Sequence, residues 1–193
     1  MEAALEALKT VGFAGATSRT IARLGGFNQA LIFYHFGSVE RLLLAALDRT
    51  SEERLAAYRS LAEEADSPAE LLAAVAEMYR ADLQSGHMTV ISQLVAGSLT
   101  REDLAPQVLA RMEPWIDFAE QAIERALAGT PVEGLAPPRQ LAYAAITFYL
   151  GVNLLSHLDP EHRITDGLFE QAAALAPLLA ALGPGRAPGQ PDG

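Results

Sequence analysis

Gln29, Ala30, Phe33 and Tyr34 share one side of a short stretch, and that side carries no charge. A helix face turned to solvent is normally rich in charged groups, so an amide, a methyl and two aromatic rings there ask for a partner surface. Base edges in a DNA major groove supply one. The Gln29 amide can bond an adenine edge, Ala30 and Leu31 can touch thymine methyl groups, and Tyr34 can reach a base or a phosphate. Ile32 and Phe36, four apart, fall on another face and are expected to pack on Ile21 and the first helix. No such grouping points to catalysis. His87 lies far from His157 and His162, and no HExxH spacing, GxSxG elbow, phosphate loop or dinucleotide fingerprint occurs. The chain has no cysteine, which excludes disulfides, thiolate metal sites and a thiol nucleophile. The expectation is a binding protein with no enzyme activity, metal or cofactor.

A base-reading face has to be held across a supporting helix. Half of the 193 residues are hydrophobic, and alanine, leucine, glutamate and arginine dominate over β-branched residues, which favours an all-α fold of about nine helices. Residues 2–11 place Ala4, Leu5, Leu8 and Val11 on one face, and Gly12 ends that segment. Thr17 is suited to cap a helix running to about Leu24, with Ile21 and Leu24 inward. Gly25-Gly26 stops it, Asn28 caps residues 29–35, and Gly37-Ser38 breaks the chain again. Two short helices joined by a glycine turn are the helix-turn-helix pattern. Ser38 then starts a long amphipathic helix reaching Glu63-Glu64. Ser67-Pro68-Ala69-Glu70 is a capping box with proline at the first helical position. Residues 88–98 read as an apolar helix, and Thr100 opens a long one to about Ala128, bent or broken near Pro106 and Pro114. Residues 129–138 form a loop, and 139–157 and 167–182 the last two helices.

The stretch TSRTIARLGGFNQALIFYHFGSVERLLLAAL, residues 17–47, closely resembles the DNA-binding domain of the TetR family of transcriptional regulators. The residues that carry the resemblance are Gly12-Phe13, Thr17, Ile21-Ala22, Gly25-Gly26-Phe27, Phe33-Tyr34-His35-Phe36 and Gly37-Ser38-Val39-Glu40-Arg41-Leu42. It implies a helix-turn-helix head over 1–50, a ligand-binding and dimerisation domain over 51–182, and leaves 183–193 as a disordered tail. It implies a homodimer on double-stranded operator DNA, released by a small organic effector. It adds Ser18 and Arg19 on the supporting helix, and His35 near the backbone, to the contacts of Gln29, Ala30, Leu31, Phe33 and Tyr34. Phe33 and Val39 stand where relatives commonly carry phosphate-binding tyrosine and lysine, and no basic arm precedes Glu2. Arg19, Arg23, Arg41 and the helix start at Ser38-Val39 would then do the anchoring, and DNA binding should be weaker and less salt-sensitive than usual. A repressor is the family expectation; a dimer of this fold that has lost specific DNA binding and holds only a ligand or protein is the alternative.

Charge agrees with a DNA-facing head. The formal net charge is −10, yet residues 1–50 sum to +1 and the rest to −11, so a polyanion meets the N-terminal end. In the second half Tyr79, Met88, Gln93, Trp115, Phe118, Phe148, Tyr149 and Asn153 would suit a mostly apolar cavity with a few polar anchors. Gln93 and Asn153, amides in apolar helices, need partners, and a ligand is one. The expected ligand is a neutral or cationic, partly apolar organic molecule, the acidic surplus favouring the cation. Leu141, Ala145, Val152 and Leu155 on one helix, with Phe169, Ala172, Leu175 and Leu179 on the next, are expected to pair across a two-fold axis. No apolar run of membrane-spanning length occurs, so a cytoplasmic protein without membrane contact is expected.

Overall fold

The computed structural model describes residues 1–130, 132–156, 158, 167–169, 171, 172 and 174. Among them eight helices follow one another and no strand occurs: α1 Glu2–Gly15, α2 Ser18–Gly25, α3 Ala30–Phe36, α4 Val39–Glu63, α5 Pro68–Ser85, α6 His87–Ser98, α7 Ala105–Leu127 and α8 Pro138–Ser156. Residues 167–169, 171–172 and 174 are helical too, within the segment expected to form the ninth helix. The outer half of that segment, with Leu175 and Leu179, and the tail 183–193 lie outside the described residues. No single helix among them is long and apolar enough to cross a membrane.

The starts follow from side-chain capping. Thr17 accepts the Thr20 N–H at 3.2 Å, Ser38 the Arg41 N–H at 3.2 Å, and Ser67 the Glu70 N–H at 3.3 Å, each satisfying a donor that has no partner within the helix. Glu70 closes its half of the box one residue early, accepting from Asp66 N–H at 2.8 Å. Asn28 accepts the Ala30 N–H at 2.9 Å. Thr100 does not open α7. The helix begins at Ala105, with Pro106 in its first turn, where a missing N–H costs nothing; Pro114 lies inside it.

Head and body share one core. Ala4, Ala7, Leu8, Ile21, Ile32 and Leu42–Leu44 pack with Met88, Val90, Ile91 and Leu94 of α6 and with Leu104 and Val108. A division at residue 50 therefore falls inside α4, which runs unbroken from the recognition helix into the body. Val11 and Leu24, expected inward, are exposed instead. For Val11 the cause is Gly12, whose φ of 70° and ψ of −179° break α1 and turn Phe13, rather than Val11, toward the core. Only glycine adopts that conformation without strain.

The break lets α1 lie against α6 at close range. A Cβ added to Gly97 would come within 2.6 Å of the Phe13 ring. Gly97→Ala should force the two helices apart at an overpacking cost of roughly 1–3 kcal/mol. Thermal unfolding followed by circular dichroism would register this as a lower melting temperature, and an unchanged one would mean that the Phe13 ring simply swings away.

Candidate functional site

The geometry of the head places the uncharged face outward. Ile32 is buried and Phe36 half-buried against the core, whereas Gln29, Ala30, Leu31, Phe33, Tyr34 and His35 are exposed, Tyr34 by 82% and Phe33 by 50%. The His35 ring stands edge-on to Tyr34, with centroids 4.9 Å apart. Ser18 donates to Gln29 Oε1 at 3.5 Å, linking α2 to the start of α3. Arg19, Arg23 and Arg41 are exposed around this face and carry no ion pair among the described residues. Val39 departs from expectation. Its side chain is half-buried on the head's core, because the first turn of α4 must close over Leu42 and Leu43. What it can offer a phosphate is its backbone N–H.

The body compensates the head's acidic groups, which the sequence did not foretell. Arg101 donates to Glu40 at 3.0 Å and Arg111 donates to Asp48 at 2.9 Å. A hydrogen bond from its own backbone N–H, and after it bonds from Ser38 and Arg101, hold the Glu40 carboxyl below the ordinary carboxylate range. Two carboxylates that would oppose a polyanion are thus offset by arginines from the acidic half of the chain.

Between α5, α6, α7 and α8 lies a cavity of about 320 Å³ whose wall is almost wholly apolar. Met88, Trp115, Phe118, Phe148 and Tyr149 line it as the sequence suggested. Tyr79, Gln93 and Asn153 do not. Tyr79 is buried behind the wall, its ring 5.0 Å from that of Phe169 and 6.4 Å from that of Tyr149. Gln93 accepts the Phe13 N–H at 3.0 Å, a donor freed by the break at Gly12. Asn153 donates to the Tyr149 carbonyl one turn back at 2.9 Å, a local bond that gives its amide N–H a partner within its own helix.

Sequence reasoning missed Tyr58, Asp82 and His87, which supply the polar atoms of this wall. Asp82, 3% exposed, forms an ion pair with Arg54, accepts from Tyr58 Oη at 2.7 Å, and accepts from Tyr149 Oη at 2.5 Å. Arg54 also donates to Tyr58 at 2.9 Å. Burial, and then the Asp82 carboxylate beside them, push both tyrosine hydroxyls well above the usual phenol range, so they stay donors. The signal was present: Leu71, Val75, Met78 and Asp82 follow helical spacing, which puts the aspartate on the apolar face.

His87 is 4% exposed and its Nε2 has no hydrogen-bond partner. Burial, followed by the charges of Arg54 and Lys9, lowers its pKa from 6.5 to about 3. Its folded-state pKa is thus depressed, so the stability that depends on neutral His87 is present above about pH 6.5 and lost as pH falls toward 3. Acid melting curves should decline across that window, and the decline should be shallower in His87→Phe; parallel declines would show that carboxylates alone drive it.

The expected dimer face is only partly outward. Leu155 is 62% exposed, and Tyr143, Phe148, Leu154 and Leu158 are exposed beside it, while Leu141 and Val152 are half-buried. Phe169 instead turns inward onto Tyr79, and Ala145, Ala172 and Phe169 line the cavity. The reason is that α8 and the helical residues after it must close the cavity with the very side chains that read as an outer stripe. Among the described residues no group of three histidine, aspartate or glutamate side chains is placed to hold a metal ion.

Known proteins place this arrangement. Residues 1–46 match the family of bacterial regulatory proteins designated tetR. The chain is 30% identical over 166 residues to the HTH-type transcriptional regulatory protein RaaS of Mycobacterium tuberculosis, a match covering 86% of this chain and 72% of that protein. Two solved structures share the fold. The fatty acid degradation regulator FadR from Bacillus halodurans superposes with a TM-score of 0.76 at 15% identity, covering 94% of this chain and 93% of that one. FadR from Bacillus subtilis, solved with stearoyl-CoA, gives 0.70 at 16% identity, covering 93% and 95%. Family match and relative agree with the exposed face of α3: the chain belongs to the tetR family of bacterial regulatory proteins, as a helix-turn-helix, DNA-binding regulator of transcription.

Proposed function

We propose that the protein is a cytoplasmic homodimeric repressor, bound to a palindromic operator through α3 and released when an apolar organic effector fills the cavity between α5 and α8. The observation that carries this reading is the shared core: Met88 and Ile91 line the cavity and belong to the same packed cluster as Leu8, Ile32 and Leu42 of the head. An effector that fits the cavity better in one arrangement of α6 than another biases the head by that difference in affinity. The stearoyl-CoA held by the B. subtilis neighbour and the apolar wall here support a ligand with a hydrocarbon body. DNA contacts are assigned to Ser18, Arg19, Gln29, Ala30, Leu31, Phe33, Tyr34 and His35. Effector contacts are assigned to Met88, Trp115, Phe118, Phe148 and Tyr149. The outer face of α8 around Leu155 supplies the dimer contact, since two recognition helices must meet successive major grooves about one turn apart. The alternative without DNA binding is disfavoured by the outward set of Gln29, Phe33 and Tyr34, an uncharged and exposed face that packs on no other part of the core.

The test is a fluorescence-anisotropy titration with palindromic DNA from upstream of the coding sequence, at several salt concentrations. Selective binding at one dimer per site is expected, and its salt slope, about −0.9 per neutralised phosphate, should be shallow. Equal affinity for scrambled DNA would overturn the operator assignment.

A further inference from the structure

The chemical class of the effector can be read further, on the premise that the cavity between α5 and α8 is the effector site. A cation finds no free carboxylate there. The one carboxylate in the wall, Asp82, already takes Arg54 and two tyrosine hydroxyls. The unspent polar atom is His87 Nε2, and His87 lies in the wall of two cavities at once. The second, of about 490 Å³, is also walled by Lys9 of α1 and Arg54 of α4. Glu53 on the same wall is paired with Arg49 at 3.2 Å. Lys9 has only the Ser85 carbonyl, at 2.7 Å, and no ion pair among the described residues. One end of an apolar chamber thus adjoins a buried hydrogen-bonding imidazole with an uncompensated ammonium group behind it.

We infer that the effector is an amphipathic organic acid, its hydrocarbon body against Met88, Ile91 and Trp115 and its carboxylate received at His87 and Lys9. A carboxylate placed there shares the Lys9 ammonium group with the Ser85 carbonyl, through which Lys9 ties α1 of the DNA-binding head to the end of α5, so the acid binds at that tie. The acid is recognised by charge-assisted hydrogen bonds, and the chain length by the chamber.

Displacement of Nile red from the full-length protein by dodecanoate, dodecanol and dodecylammonium, all below their micelle thresholds, tests this. Trp115, the only tryptophan, lines the chamber and reports occupancy by its emission. Dodecanoate should bind about tenfold more tightly than dodecylammonium, the ratio expected of one charge-assisted hydrogen bond. Lys9→Met, at an exposed position that leaves folding intact, should weaken dodecanoate several-fold and leave dodecanol unchanged; His87→Phe should do the same. Dodecylammonium binding as tightly as dodecanoate overturns the acid class. So does dodecanoate binding that ignores Lys9→Met, although the cavity would then stand as a lipophilic site. If none of the three displaces Nile red or changes Trp115 emission, the effector site itself is misplaced and both readings fall.

Discussion

Alanine at Tyr34 should weaken operator binding by about ten- to a hundredfold, the range set by roughly 1–3 kcal/mol for a side chain in direct contact with base edges. Folding should not notice. Tyr34 is 82% exposed, its ring edge-on to that of His35, and surface substitutions of that kind stay within about 0.5 kcal/mol. Gln29→Ala should cost a similar factor and, in addition, relax selectivity at one base-pair position, since an amide reads a base rather than a phosphate. Arg19→Ala gives the contrasting pattern: weaker binding to every sequence and a salt slope flatter by about 1. Anisotropy titrations against operator and scrambled duplexes separate the three variants. Unchanged operator affinity in Tyr34→Ala and Gln29→Ala together would move recognition away from α3 and revive the reading of a fold that has given up its DNA.

What could be read from the sequence was what local physics decides. Thr17, Ser38 and Ser67 announce helix starts because a hydroxyl at that position satisfies an N–H within three residues, and all three do so. The outward face of α3 was legible for a related reason: Ile32 and Phe36 fix one side of a two-turn helix, and the rest follows from 3.6-residue spacing. The errors come from where each side chain finds its partner. Gln93 looked like a ligand's amide because its partner, the Phe13 N–H, lies 80 residues away and exists only through the break at Gly12. Asn153 looked hungry for a partner but had the Tyr149 carbonyl four residues back. Phe169 and Ala145 sit on apolar stripes, and a stripe does not say whether a cavity or a second subunit covers it. Asp82 was not singled out in the sequence, although its register with Met78 and Val75 put it inside.

That buried aspartate sets the largest stability effect to be expected. Asp82→Ala strips Arg54, whose side chain is 19% exposed, of its counter-charge and leaves the Tyr58 and Tyr149 hydroxyls without their acceptor. Breaking a buried pair from one side costs about 3–5 kcal/mol, because the remaining charge stays desolvated. For a chain of this size, each kcal/mol moves the melting temperature by about 2–4 °C, so a drop on the order of 10 °C should appear in thermal unfolding. Removing both charges, as Arg54→Met with Asp82→Leu, should recover much of the loss, since an apolar replacement of a whole pair is often close to neutral. The same double variant tells stability and signalling apart. Arg54 belongs to α4, Asp82 to α5 and Tyr149 to α8, so this cluster is where the cavity wall grips the helix that carries the DNA-binding head. A stable double variant should bind operator normally yet respond poorly to effector. If it responds as the wild type does, coupling runs through α6 and its seam with α1 instead, where Gln93 holds Phe13 and Gly97 leaves room for its ring.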